Sequence, residues 1–251
     1  MTDEYAVLAE FYDHLYAFRT NDIAFYVELA REGKGPILEA GCGTGRISLP
    51  LIETAPEIHG VDNSPAMLSV LRRKLAARPE LLPRFHEGDM RTFDLGKKFA
   101  QIFVPFRAFL HMDAIDDQLA ALRNFHRHLR DDGRVVLDIF APSYRLMSDN
   151  RTPAALPAQH LADGRVITVL DHVTYSHRDQ RLEVERHLDT VFSDGTLKRN
   201  IVHLHLRYIF RYEMELLLRH SGFRVEAVYG DFERRPYDYH SGEMIFVARP
   251  L

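Results

Sequence analysis

One cysteine, Cys42, stands in 251 residues, so no internal disulfide can form and a reducing compartment is expected. Positive charge is not in excess: the formal net charge is −4 and the pI about 6.4, which leaves no basic field for nucleic acid. No stretch approaches the roughly 20 apolar residues of a spanning helix. The first residues, Met1-Thr2-Asp3-Glu4, are acidic and carry no apolar targeting run. Internal repeats and low-complexity tails are missing as well. What is present is 46% hydrophobic, enough for a full core and against disorder. The length fits one α/β domain with an insertion or a small lid. These features together predict a cytoplasmic protein, monomer or homodimer, with neither a membrane nor a nucleic-acid partner.

The informative stretch is Pro36-Ile37-Leu38-Glu39-Ala40-Gly41-Cys42-Gly43-Thr44-Gly45-Arg46. It reads as a short buried strand, a glycine turn and the start of a helix. Gly41, Gly43 and Gly45 recur at every second position and allow positive φ and close approach of a ligand to the main chain. Cys42, inside that turn, reads as a small filler. A dinucleotide-binding turn has the spacing G-x-G-x-x-G. Here the spacing is G-x-G-x-G, and Glu39 precedes it by two residues. A carboxylate beside pyrophosphate is unfavourable by like-charge repulsion, whereas a ligand ammonium favours it. S-adenosylmethionine carries an ammonium, a sulfonium and no phosphate.

The Glu39–Gly45 stretch resembles the first motif of the class I S-adenosylmethionine-dependent methyltransferases. Further motifs follow in order. Residues 57–62 read as a second strand ending in Asp62, which lies 21 residues after Gly41 and is placed to accept from ribose hydroxyls. Asn63-Ser64-Pro65 starts a helix carrying Met67. Residues 82–87 read as a third strand, followed by Gly88-Asp89-Met90. Residues 99–104 form an apolar run fitting a buried parallel strand, which exits into Pro105-Phe106-Arg107-Ala108-Phe109-Leu110-His111. Residues 116–129 show helical periodicity, 131–133 a turn and 134–140 a fifth strand. The resemblance implies that Glu39, Ala40, Gly41, Gly43, Gly45 and Arg46 hold the amino-acid end of the cofactor. It implies Asp62 for the ribose and Met67, Asp89 and Met90 for the adenine, with Asn63 and Gly88 as further cofactor-binding candidates. Pro105 and Phe106 then border the methyl. Phe109 is a further candidate for shaping the site, with Arg107 and His111 candidate catalytic residues. Where the family often has an acid near the start of the fourth strand, this chain has Ala100-Gln101.

Residues 5–31 carry a helical apolar pattern. The family often covers its cofactor with an N-terminal tyrosine helix, which makes Tyr12 and Tyr16 candidates for the site; Phe11 and Leu15 read as core. From residue 141 the composition changes. Residues 141–164 read as loop and short helix, and three alternating runs follow at 165–175, 181–192 and 197–209, with Ser193-Asp194-Gly195-Thr196 as a hairpin turn. His203 and His205 share one face of the last run, and a pocket-lining or solvated role is favoured over metal ligation. Residues 212–220 read as an amphipathic helix, and 223–229 and 244–249 as closing strands.

The expectation is an α/β fold: a Rossmann-like, seven-stranded, mostly parallel sheet with helices on both faces, plus a small inserted antiparallel sheet. Residues 1–140 and 211–251 form the cofactor unit with its N-terminal cover, and 141–210 build the acceptor pocket. The activity implied is transfer of a methyl group from S-adenosylmethionine to N or O of a small-molecule acceptor by in-line displacement, with no metal. The alternatives are an NAD(P)-dependent oxidoreductase and a non-catalytic cofactor-binding scaffold.

Overall fold

The computed structural model describes residues 5–55, 57–148 and 151–251; the acidic start at 1–4 lies outside them. Two sheets organise the chain. The first has seven strands: β1 (Ile37–Ala40), β2 (Ile58–Asp62), β3 (Phe85–Glu87), β4 (Phe99–Val104), β5 (Leu129–Phe140), β10 (Phe223–Tyr229) and β11 (Glu243–Pro250). Their spatial order is β10-β11-β5-β4-β1-β2-β3. The first five pair in parallel, and β11 runs antiparallel between β5 and β10. The chain builds outward from β1 to β3, returns, and builds the other way from β4. The order therefore reverses between β1 and β4, and the crevice outside their carboxyl ends is where open α/β sheets bind ligands. That crevice receives the glycine turn from β1 and the Pro105–Phe106 exit from β4.

Alternation along the strands supplies two cores. Leu38, Val104, Val135 and Leu137 face helices α5 (Ile115–His128) and α7 (Arg211–His220) through Leu122, Phe125 and Leu218. Ile37, Phe103 and Val136 face α2 (Asn21–Glu32) and α3 (Ser48–Ile52) through Phe25, Tyr26 and Leu51. Helix α4 (Pro65–Lys74) has Pro65 in its first turn and is capped by Ser64, whose hydroxyl accepts the Met67 N–H at 3.1 Å. Gln101, standing where the family often has an acid, is buried and bridges the Leu29 carbonyl and the Arg134 guanidinium, closing the end of α2. No helix among the described residues is long and apolar enough to cross a membrane.

The second sheet is a four-stranded antiparallel meander of β6 (Arg151–His160), β7 (Val166–Ser176), β8 (Arg181–Val191) and β9 (Leu197–Arg207), entered through the short helix α6 (Tyr144–Ser148). Its inner face, including Ile167, Leu182, Leu188 and Val202, packs on Leu8, Phe11 and Leu15 of the N-terminal segment. This corrects the expected three strands. Pro153 and Pro157 argue against a strand from sequence, but β6 is an edge strand, where the missing N–H groups need not break a ladder, and its register shifts between Leu156 and Gln159.

Other expectations shift in detail. The helical pattern over 5–31 is broken: α1 (Tyr12–Leu15) is a single turn, and 16–20 separate it from α2. The break has a cause, since Arg46 donates to the Arg19 carbonyl at 3.1 Å and claims an acceptor a continuous helix would use. The third strand starts at Phe85, because Pro79–Arg84, with prolines at 79 and 83, form a 3-10 turn. The 131–133 turn lies inside β5 as a bulged stretch, between the pairs Phe99↔Leu129 and Gln101↔Arg134.

Candidate active site

The glycine turn is held from beneath by β2: the Gly41 and Cys42 N–H groups both donate to the Val61 carbonyl, at 2.7 and 3.1 Å. Gly41, Gly43 and Gly45 have φ of +83°, +52° and +83°. At Gly41 a Cβ would stand 2.7 Å from the Ala108 Cβ and 2.9 Å from the Met90 methyl. Cys42 is buried against Gly60, and burial raises its thiol well above the usual range, so it is the expected filler. Asp62 accepts the Gly43 N–H at 2.7 Å and the Ser64 N–H at 2.8 Å, which fixes its carboxylate over the turn. Gly88 donates to the Asp62 carbonyl at 2.9 Å and joins the third strand tip to the second. The Met67 methyl lies 3.1 Å from where a Gly43 Cβ would be. Asn63 is exposed in the same β2–α4 turn.

Glu39 is 2% exposed, beside Ala40 in the middle of the sheet, and accepts a hydrogen bond from the Ser48 hydroxyl. Burial, only partly countered by that hydroxyl, pushes its carboxyl up to about 8. It is an acid stored mainly in its neutral form at pH 7. Asp89 is different: Arg91 donates to both its oxygens, at 2.9 and 3.0 Å from Nε, and holds it below the usual carboxylate range.

The exit of β4 is strained. Phe106 and Arg107 have φ of +55° and +65°, at a cost of about 1–2 kcal/mol for each non-glycine residue. The Asp138 carboxylate on β5 meets both, accepting the Phe106 N–H at 3.0 Å and the Arg107 N–H at 3.3 Å. The Tyr26 hydroxyl donates to the same carboxylate at 2.5 Å. The Arg107 guanidinium pairs with Glu243 at 2.9 Å and lies over Phe140, which ties this candidate catalytic residue into the wall. Phe109 is fully buried among core side chains; it supports the exit from behind and is not a surface of the site.

The N-terminal segment roofs the crevice. Asp13 accepts from the Thr44 hydroxyl at 2.7 Å and pairs with Lys74, whose ammonium also donates to the Thr44 carbonyl at 2.8 Å. The Tyr12 and Tyr16 rings meet Phe106 edge-on, with centroids 6.3 and 4.9 Å away. The Arg46 guanidinium lies 4.5 Å from the Phe106 centroid and makes a two-pronged pair with buried Asp22. Tyr16 accepts from Arg186 of β8 at 2.8 Å, and Arg186 forks onto Asp171, linking the roof to the second sheet. His111 lies 2.8 Å from the Tyr5 hydroxyl through Nε2. Burial drives His111 down to about 4, against a raising contact with the His205 backbone. Its imidazole is therefore neutral at pH 7.

The glycine turn, Asp62, Met67, Met90, Phe106, Tyr12, Tyr16 and His111 thus border one crevice, while Asp89 stands next to Met90 after β3 with its carboxylate held by Arg91. Tyr5, Asp13, Tyr26, Asp138 and Arg186 are not among the site candidates taken from the sequence. Only Asp138 carried a signal, as a lone acid inside the apolar Val135–Phe140 run. His203 and His205 lie on the solvent face of the second sheet, in a depression of about 410 Å³ shared with His172 and Glu185. Among the described residues no group of three His, Cys, Asp or Glu side chains is arranged to hold a metal ion.

Comparison with known proteins bears on this arrangement. A family model described as "Methyltransferase domain" matches residues 37–133. The chain is 28% identical over 238 residues to the dTDP-3-amino-3,4,6-trideoxy-alpha-D-glucopyranose N,N-dimethyltransferase of Streptomyces venezuelae, covering 94% of this chain and 91% of that protein. It is 26% identical over 212 residues to the cypemycin N-terminal methyltransferase of a Streptomyces species, covering 84% and 81%. Among solved structures, the CcbJ methyltransferase of Streptomyces caelestis superposes with a TM-score of 0.75 at 26% identity, over 92% of this chain and 89% of that one. Nothing in these likenesses points to hydride transfer.

Proposed function

Because the chain is a class I S-adenosylmethionine-dependent methyltransferase, we propose that its acceptor is the amine nitrogen of a small molecule, bound between the cofactor crevice and the second sheet. The observation that carries this reading is the neutral, half-buried His111 paired with Tyr5 beside the aromatic wall. Of the relatives named above, one is an N,N-dimethyltransferase of an amino sugar and the other an N-terminal methyltransferase. Residues 1–140 and 211–251 serve the cofactor, and 141–210 the acceptor.

The residues present fit the cofactor. The glycine turn offers a cradle that side chains would fill, and Glu39 is a buried acid suited to an ammonium. Glu39 and the turn hold the amino-acid end, Asp62 the ribose, and Met67, Asp89 and Met90 surround the adenine. When bound, S-adenosylmethionine supplies an electrophilic methyl on a sulfonium. Tyr12, Tyr16 and Phe106 line that end, where aromatic faces suit a cation and exclude water. The protein's main work is alignment, holding the nucleophile about 3–3.5 Å from the methyl.

His111 takes a narrower role than general base. At about 4 it is a far weaker base than an alkylamine. The neutral imidazole fixes the Tyr5 hydroxyl, and the oxygen of that hydroxyl orients an amine N–H so that the nitrogen lone pair points at the methyl. Incubation with S-adenosylmethionine and a panel of amines tests this, the panel comprising amino-sugar nucleotides, glycine and peptides with free N-termini, each beside its hydroxyl counterpart. Mass gains of one or two methyl groups on an amine are expected. His111→Gln should lower kcat about 10–100-fold, the scale of a small misplacement, with the affinity for S-adenosylhomocysteine nearly unchanged. Methylation of the hydroxyl compounds alone overturns the proposal.

A further inference from the structure

We propose that Asp138 and Tyr26 are positioning residues for methyl transfer, a buried clamp that locks the left-handed Phe106–Arg107 turn and so fixes the Phe106 ring in the wall of the site. The catalytic half of this proposal rests on the amine-methyltransferase reading above; the clamp itself stands on the geometry.

The chain makes the clamp necessary. The β4–β5 ladder runs through Val104↔Leu137, and the next residue on β4, Pro105, has no N–H to continue it. The strand must turn away there, and the next two N–H groups go to a side chain instead of a strand. That side chain is Asp138, directly after Leu137 on the neighbouring strand. Its own neighbours, Leu137 and Ile139, are fully buried and apolar, a poor setting for a carboxyl. Three hydrogen bonds partly offset that setting, which still holds the carboxyl above its usual range, and two of them go to the consecutive positive-φ residues. Tyr26 comes from α2 on the opposite core and is itself fully buried, so the carboxylate is braced between a helix and the turn.

What the turn presents is the Phe106 ring. It meets Tyr16 and Tyr12 of the roof and carries the Arg46 guanidinium on its face. Were residues 106 and 107 to relax to ordinary negative φ, the ring would leave these partners. Asp138 and Tyr26 therefore act through Phe106 and need no contact with a ligand.

Steady-state kinetics and amide hydrogen exchange on Asp138→Asn and the isosteric Tyr26→Phe test this. An asparagine keeps one acceptor oxygen but turns an NH2 toward a backbone donor. In Asp138→Asn, kcat should fall about 10–100-fold while the dissociation constant for S-adenosylhomocysteine moves less than about threefold. Exchange of the Phe106 and Arg107 amides should quicken at least about 100-fold. Tyr26→Phe should move both readouts the same way by a smaller factor. The specific check is a double-mutant cycle with Arg107→Gly, since glycine adopts positive φ without strain. Asp138→Asn should cost much less kcat in that background than in the wild type.

Equal losses in both backgrounds, unchanged exchange at residues 106 and 107, or a loss of cofactor affinity as large as the loss of kcat overturn the proposal. If the wild type methylates no amine, the acceptor reading falls and takes the catalytic half with it. The exchange rates then still decide the clamp.

Discussion

Gly41→Ala is expected to weaken binding of S-adenosylhomocysteine by at least about 30-fold, from an energy loss of about 2–5 kcal/mol converted at 1.4 kcal/mol per decade. The energy has two parts. At φ +83° a side chain is strained, by about 1–2 kcal/mol. The new methyl would also sit 2.7 Å from the Ala108 Cβ and 2.9 Å from the Met90 methyl, and overpacking of this kind costs about 1–3 kcal/mol. The apo protein can relieve both by shifting the turn, so binding must either restore the strain or lose main-chain contacts. Gly96→Ala is the control. Its φ is +59° but nothing lies within 4 Å of the added methyl, so it should cost some stability and leave affinity alone. Calorimetric titration of both variants checks the pair. Normal affinity in Gly41→Ala removes the turn from the cofactor site.

Glu39→Gln has the second large effect, and its signature is pH. In the free protein the carboxyl sits at about 8, raised by burial above an ordinary glutamate. A ligand ammonium favours the ionised form, so binding near pH 7 should release close to one proton. Wild-type affinity should therefore rise by about tenfold per pH unit between pH 6 and 8 and then flatten. Glu39→Gln should show a flat profile and bind roughly 10–150-fold more weakly at pH 8, the equivalent of losing about 1.5–3 kcal/mol from a charged hydrogen bond.

Stability runs the other way. A carboxyl raised on folding stabilises the fold fully below the unfolded value, about 4.3, and loses that contribution as pH rises through about 8. The glutamine variant avoids this and should melt about 2–6 °C higher at pH 8. Calorimetry in buffers of different ionisation enthalpy reads the proton. A pH-independent wild type excludes Glu39 as the ammonium partner.

The parts of the candidate site legible in sequence are those written in local spacing. The glycine turn, the acid ending β2 and the Gly88-Asp89-Met90 turn follow one another along single strand-to-turn units, and the apolar runs between them place β1, β2, β4 and β5. What spacing does not carry is pairing across the chain. Arg107 reads as a candidate catalytic residue until Glu243, 136 positions away, pairs with it. Tyr5, Asp13 and Tyr16 look like parts of one helix, but their partners lie on three different elements. The left-handed turn at Phe106 and Arg107 was hidden because neither residue is one that favours positive φ. Prolines concealed β6, since an edge position cannot be read from one strand alone. Asp138 does carry a signal that the sequence analysis left unused, because a lone acid in an apolar run asks for partners when buried.

The most direct measurement is calorimetric titration of the wild-type protein with S-adenosylhomocysteine at pH 8, with NADH as the control. The account predicts saturable binding of one S-adenosylhomocysteine per chain and no heat from NADH. Absence of S-adenosylhomocysteine binding, or binding of NADH in its place, would contradict the assignment of Glu39, the glycine turn and Asp62 to the cofactor.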